Sequence, residues 1–395
     1  MNLAAVAEGL QAKGHVVTVM TGFPNHPFGR IYDGYGMRPW QWDDVRGVRV
    51  LRLPLFPDHS LSAARRALNY GSFALSAMTL GLLNVRSIEA DVLYVYLPPL
   101  TMAAPAALLG RLLRAPLVYW ITDLWPESLN AAGAPIGPRA VRAIRNLEDW
   151  AYRRAKTICV NSPGFKHNLI GKGVPAGKIE VVMDWADETL FFPTKPDLSL
   201  AQEFGLAGKF NVVYGGNLGA VQCLDTVVLA ARLLQDLSDI QFVLIGDGTD
   251  EQNLKSRVAE YKLDNVRFVP RQPPEKMHRF FALADVLLVH LKREPIFEMQ
   301  VPSKITAYLA CGRPILCAVP GVAAGIVRDA RGGVTCPSED PPAMAEQIRI
   351  LHAMPAPERE AMGQAGRQAY LEKYTRSLQV DRIEAILRQA AGGSQ

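Results

Sequence analysis

Residues 209–225 read KFNVVYGGNLGAVQCLD. An apolar, β-branched run of strand type passes into Gly215-Gly216-Asn217, then Gly219, and then into a helical pattern starting near Leu224. A strand that feeds a helix through a glycine turn is the repeating unit of a parallel α/β sheet. The same grammar recurs downstream in IQFVLIGDG (240–248), NVRFVP (265–270), ADVLLVHL (284–291), RPILCAV (313–319) and GGVTC (332–336). It also runs upstream, in HVVTVMT (15–21), VRVLRL (48–53), DVLYVYL (91–97), APLVYWITD (115–123) and KTICVNS (156–162), with helical runs between. Two alternations in 395 residues imply two α/β domains, since one core rarely grows that large. The turn-rich stretch DETLFFPTKPDLSLA (187–201) has little periodicity and marks the boundary. The expected division is 1–190, 191–375, and a C-terminal helix over 376–395 that crosses back to the first domain. The whole helical stretch is expected to run from about Pro357 to Gln389.

The composition is that of an ordinary globular chain, 49% hydrophobic and 21% charged, with a net charge of only +5. That excess does not argue for nucleic acid, although it suits phosphates or lipid head groups. The five cysteines are widely spaced without a CxxC, which predicts reduced, mostly buried thiols in a cytoplasmic protein. No metal-ligand spacing stands out among the seven histidines, so no metal is expected. No run reaches the ~20 apolar residues of a membrane span. Residues 61–85, LSAARRALNYGSFALSAMTLGLLNV, carry Arg65 and Arg66 ahead of an apolar helix. This is either a core-packed helix or an interfacial one, apolar face in lipid and arginines at phosphates.

Three stretches carry chemistry. The first is the glycine turn 215–219, where a backbone without side chains lets phosphates approach a helix N-terminus. The spacing is not GxGxxG, and a tight turn without a ligand is the alternative. The second is IGDGTDEQNL (245–254), with Gly246 in the turn and Asp247 or Thr249 as N-cap of the next helix. The third is EPIFEMQVPSKITAYLACGRPILCAV (294–319). Here Pro302 and Ser303 open a helix that ends at Gly312, and Lys304 falls in its first turn. The helix dipole disfavours a cation there, so an anionic ligand is the natural reason for it, with plain solvent exposure as the alternative.

Read in order, YGGNLG, FVLIGDG, NVRFVPRQPPEKMHRFFALADV and VPSKITAYLACGRPIL resemble the C-terminal half of a GT-B glycosyltransferase of family 4. EGLQAKGHVVTVMTGFPNHPFGRIYDGY and YWITDLWPESL are similar to the subgroup that includes N-acetyl-L-fucosamine transferases of O-antigen assembly and colanic-acid-type enzymes. The resemblance implies two Rossmann-like domains facing across a cleft, the C-terminal one holding a nucleotide sugar and the N-terminal one an acceptor. It places Gly215, Gly216, Asn217 and Gly219 against the diphosphate. Gln222 and Asn217 stand where many members carry a lysine and an arginine, which leaves Lys304, with Arg293, to neutralise the leaving group. The family's Glu-x7-Glu element would fall at Met299 and Ala307; Glu298, one residue early, is the substitute, and Glu294 is further off. Val269, Pro270 and Arg271 match the segment that meets the nucleotide base. Asp123, Trp125 and Glu127 follow a strand and are candidates for acceptor or sugar contacts, with N-cap and helix-start roles as the alternative for Asp123 and Glu127. Asn25, His26 and Arg30, in GFPNHPFGRIY, line the acceptor side by the same resemblance.

The activity so implied is retaining, metal-independent transfer of a sugar, an N-acetylated hexosamine or deoxyhexosamine, from a UDP-linked donor. No cofactor is expected. The acceptor is a polyprenyl-diphosphate-linked or other saccharide of bacterial surface polysaccharide, met at the inner face of the cell membrane. The alternatives are a UDP-sugar 2-epimerase-like enzyme and a truncated, inactive sugar-nucleotide-binding relative. The second draws on the first helix, which opens the chain where the family has a strand and a glycine-rich loop before it. A mis-set start codon is the expected cause.

Overall fold

The computed structural model describes residues 3–60, 62–86, 88–128 and 137–392. The chain divides into two compact units. Unit 1 holds the described residues up to Asn161, Lys166–Val182, and those from Val380 onward; unit 2 holds Ser162–Phe165 and Met183–Gln379. The main division therefore falls at residues 182–183, ahead of the 190–191 read from turn composition.

Unit 2 is built on one six-stranded sheet. Its strands are Phe210–Gly215, Ile240–Ile245, Val266–Val269, Val286–His290, Ile315–Ala318 and Gly333–Thr335, here β8 to β13 in chain order after seven strands in unit 1. All neighbours are parallel, in the order β10-β9-β8-β11-β12-β13. Numbered within the unit that order is 3-2-1-4-5-6, the doubly wound arrangement whose order reverses between the first and fourth strands. β8, β9 and β11 are buried along their whole length, which is why FNVVYG, IQFVLI and VLLVH read as unbroken apolar runs rather than alternating ones. At the reversal β8 and β11 pair only through Val212–Val286 and Val213–Leu287. Their C-terminal ends, beyond that pairing, flank the reversal.

Unit 1 contains two sheets. β1 (Thr18–Gly22), β2 (Gln41–Val45) and β3 (Val48–Leu53) form one, in the order β1-β3-β2. β4 (Leu93–Tyr96), β5 (Leu117–Ile121), β6 (Thr157–Val160) and β7 (Ile179–Val181) form the other, parallel and in chain order. Among the described residues β1 pairs only with β3, and β4 only with β5. Both are correspondingly half-buried, whereas every residue of β5 is buried. The helix Leu3–Ala12 packs Ala5, Val6, Ala7 and Leu10 inward.

Three features depart from the sequence reading. The hairpin β2–β3 was not expected. Its turn is Arg46-Gly47, both at positive φ (53° and 80°), the two-residue geometry that matches strand twist. The C-terminal stretch is two helices, Ala356–Lys373 and Arg376–Ala390, because the chain leaves helical geometry at Tyr374 and Thr375 Oγ1 then accepts from the Leu378 N–H at 3.4 Å. From Val380 this second helix packs within unit 1, where Glu384 pairs with Lys13 at 2.8 Å and His15 at 2.8 Å. The helix after β9 starts at Glu251 with Asp250 as its cap, not Asp247 or Thr249; the Asp247 carboxylate instead meets Arg271 at 3.1 Å.

Candidate active site

The glycine turns after β8 and β9 lock together. Gly216 (φ 141°) and Gly246 (φ 145°) adopt conformations that L side chains rarely take, and a Cβ on Gly246 would lie 1.9 Å from the Gly216 carbonyl oxygen. Leu218 donates to the Asp247 carbonyl (2.7 Å) and accepts from the Asp250 N–H (2.9 Å), so the two turns form one surface. Only glycine allows so close an approach of two backbones. Beneath them Tyr308, buried in the helix Ser303–Cys311, brings its hydroxyl to the Gly215 N–H at 3.1 Å. The Tyr214 hydroxyl donates to the Asn217 carbonyl at 2.8 Å. Gln222 completes the turn: its Oε1 accepts from the Gly219 N–H at 3.2 Å and from the Asn217 amide at 3.3 Å.

Lys304 enters this surface from the other side. It lies in the first turn of Ser303–Cys311, whose N-cap Pro302 offers no side-chain acceptor. Its Nζ sits 4.8 Å from the centre of the Tyr214 ring, and a Cβ on Gly216 would come within 2.9 Å of that nitrogen. Among the described residues no carboxylate forms an ion pair with it. Desolvation, without an acid to offset it, lowers the ammonium from its ordinary 10.5 to about 8. A desolvated cation over an aromatic face, against glycine backbone, at a helix N-terminus, is a binding element for an anion.

The other residues expected on the donor side are placed unevenly. Gly215, Gly216, Asn217, Gly219, Gln222, Gly246 and Lys304 converge on the turn surface. Val269 closes β10 and is buried, with Pro270 and Arg271 exposed just beyond it. Ser303 is exposed at the helix start. Arg293 gives a guanidinium nitrogen to the Ser338 carbonyl at 2.7 Å, and Glu294 is paired with Lys292 at 3.0 Å. Glu298 is exposed on the short helix Pro295–Met299, its backbone carbonyl against Gly321 (φ 76°). Tyr214, Tyr308 and His290 escaped the sequence reading. A histidine ending the apolar run VLLV was the available signal for the last of them.

In unit 1 the expected residues follow the C-terminal ends of parallel strands, the side on which open α/β sheets bind ligands. After β1, Asn25 donates to the Phe23 carbonyl (2.9 Å), and His26 packs edge-on against His59 with ring centroids 4.6 Å apart. Arg30 is exposed. After β5, Asp123 reaches solvent yet is crowded by protein on its other sides, and that desolvation raises its carboxyl above the ordinary value. Trp125 is half-buried. Glu127 is held by Lys172 at 3.0 Å, and the same ammonium reaches the Trp125 carbonyl (3.2 Å) and buried Glu148 (3.4 Å). That lysine fixes the DLWPE turn.

Fold and site define a glycosyltransferase of GT-B architecture. A family described as "Glycosyl transferase 4-like domain" matches residues 2–185, and one described as "Glycosyl transferases group 1" matches residues 200–369. The chain belongs to the family 4 glycosyltransferases. It is 28% identical over 314 residues to WcaI of Escherichia coli (strain K12), a glycosyl transferase named for colanic acid biosynthesis, covering 78% of this chain and 76% of the relative. It is 26% identical over 310 residues to the glycosyltransferase WbjE of Pseudomonas aeruginosa, with the same coverage of 78% and 76%. The crystal structure of Anabaena HepE in complex with UDP and glucose matches with a TM-score of 0.66 at 18% identity, over 87% of this chain and 86% of that one.

Proposed function

We propose that the enzyme takes a sugar from a UDP-linked donor, an N-acetylated hexosamine or deoxyhexosamine, and adds it to a lipid-linked saccharide of the bacterial cell surface. The observation that carries this reading is Lys304: a desolvated ammonium without a carboxylate partner, held against Gly216 where a diphosphate would lie. The named role of WcaI and the UDP bound by HepE support the substrate classes. In this reading an acceptor hydroxyl attacks the anomeric carbon from the face the diphosphate leaves. The bond from that carbon to the diphosphate oxygen breaks, and the hydroxyl proton passes to the departing phosphate oxygen, so configuration is retained. Lys304 meets the charge that develops on the leaving group, the stage at which a fixed cation lowers the barrier most, and no metal is required of the step.

A lipid-linked acceptor calls for a membrane-facing surface. No helix among the described residues is long and apolar enough to cross a membrane. Unit 1 instead exposes Leu68 (53%), Leu75 (59%) and Leu83 (59%) along the helical stretch 63–85. Leu108 and Leu112 are exposed on Ala103–Leu113, which packs against that stretch. Arg65, Arg66, Arg86, Arg111 and Arg114 are exposed on the same helices or at their ends, Arg65 paired with Asp58 at 2.7 Å. Exposed leucines on helices that also expose arginines suit an anionic bilayer surface. Sedimentation with phosphatidylglycerol vesicles tests this: Leu75→Glu should lower the bound fraction about tenfold, and an unchanged fraction would remove the membrane from the account. For the reaction, purified enzyme is given UDP-N-acetylhexosamines with a polyprenyl-diphosphate saccharide. Labelled lipid product is expected, and UDP binding without any transfer would favour the inactive relative.

A further inference from the structure

The last residue of β11, His290, is 1% exposed. An imidazole buried at the end of an apolar strand is tolerated only if both ring nitrogens are bonded. Both are. The Glu339 backbone N–H donates to Nε2 at 3.1 Å, and Nδ1 lies 2.8 Å from the Gln222 carbonyl oxygen. A backbone N–H only donates and a carbonyl only accepts, so Nε2 is bare and Nδ1 carries the proton. The ring is neutral, in one tautomer.

The two partners belong to different segments. Gln222 ends the 3₁₀ turn Ala220–Gln222, and its side chain caps Gly219 and Asn217 on the phosphate-facing surface. Glu339 (φ 55°) lies beyond β13, and its carboxylate accepts from the Cys223 thiol at 3.2 Å. Cys223 itself has a φ of 46°. His290 thus ties β11, the glycine turn after β8, and the 338–339 segment into one arrangement at the point where strand order reverses. We propose that His290 is a positioning residue for the donor diphosphate: its Nδ1–H holds Gln222, and Gln222 holds the Gly219 and Asn217 groups that would meet the ligand. This rests on the functional reading above; His290 itself does not touch the donor.

Three variants test it. His290→Asn places an amide N–H near the Nδ1 position; His290→Gln keeps an acceptor near Nε2 but withdraws the donor; His290→Phe removes both. UDP affinity, KM for donor and for acceptor, and hydrogen exchange of residues 217–223 without ligand are measured on the full chain. A lost buried hydrogen bond corresponds to up to about tenfold in affinity. His290→Phe and His290→Gln should weaken UDP by about that factor, raise donor KM and not acceptor KM, and speed exchange at 217–223. His290→Asn should stay within about threefold of wild type. Should His290→Phe not fold, the contrast between Asn and Gln decides, and equal behaviour of those two overturns the proposal. Wild-type UDP affinity and exchange in a folded His290→Phe would also overturn it. A wild type that binds no nucleotide would sink the functional reading instead, while accelerated exchange in the variants would still confirm the tie between the segments.

Discussion

The two units share one grammar and end in different states. In unit 2 the strand–turn–helix repeat closes into a single parallel sheet of six strands, and the turns at its reversal point carry the groups proposed to meet a diphosphate. In unit 1 the strands fall into sheets of three and four, with β1 and β4 each paired on one edge. Buried polar atoms without a hydrogen-bond partner among the described residues occur in both units, Asn265 Oδ1 and His278 Nδ1 in unit 2 among them. Thr101 Oγ1, Tyr119 OH and Trp120 Nε1, all in unit 1, have no hydrogen-bond partner among the described residues. The glycine turns of unit 2 are held by bonds on nearly every side. The half proposed to hold the donor has its turns fixed in advance by backbone and side-chain bonds, while the half proposed to hold the acceptor presents its candidate groups beside strands paired on one edge.

The hardest blow to that comparison comes from Lys304→Ala. Removing a fixed cation from a developing negative charge costs on the order of 10²–10³ in kcat, by analogy with the loss of one oxyanion donor. The unliganded protein should lose no stability, since the change also removes a desolvated charge without an acid partner. A steady-state assay beside a thermal melt checks both; a variant with near-normal kcat would deny Lys304 its role. Next is Gly246→Ala. Its methyl group would overlap the Gly216 carbonyl at an unfavourable φ, so a loss of roughly 2–4 kcal/mol is expected from denaturant unfolding, along with loss of UDP binding. A stable Gly246→Ala with intact binding would show that the two turns are not one rigid surface.

Hydrogen exchange sharpens the contrast between units. Amides of β1 and β4 should exchange through smaller openings than those of β8 and β9, because an edge with one partner opens locally. Uniform protection across all four strands would erase the distinction. The smallest expected effect is a pH dependence. The Lys304 ammonium is near 8 in the folded protein against 10.5 ordinarily, so between those values the unfolded chain binds more protons and stability rises with pH. A bound diphosphate restores the proton, so UDP affinity should fall as pH rises above about 8, by at most about tenfold per unit. In Lys304→Arg the slope should vanish, because a guanidinium stays charged over this range.

The sequence disclosed much of this and withheld some of it for physical reasons. Buried parallel strands announce themselves as apolar runs, so the six strands of unit 2 and the turn at Gly215–Gly219 were legible, as was a helix opened by Pro302 and closed by Gly312. The β2 strand QWDDV was not, since three of its five residues are polar and its only signal was Gly47 in the turn. The break at Tyr374–Thr375 has no glycine or proline to mark it. Asp247 looked like a cap because Asp fits that position; instead its carbonyl accepts from Leu218 and its carboxylate meets Arg271, 24 residues away. The role of His290 was out of reach for the same reason, because its partners Gln222 and Glu339 lie 68 and 49 residues off. Glu298 and Glu294 were read from spacing, and spacing does not say where a side chain points.

In this reading the Lys304 ammonium, without a carboxylate partner among the described residues, anchors a nucleoside diphosphate. Calorimetric titration of UDP into wild type and Lys304→Ala at pH 7 tests it directly. The account predicts saturable binding to the wild type and at least about tenfold weaker binding to a variant that melts no lower. Equal affinity for the two proteins would contradict it.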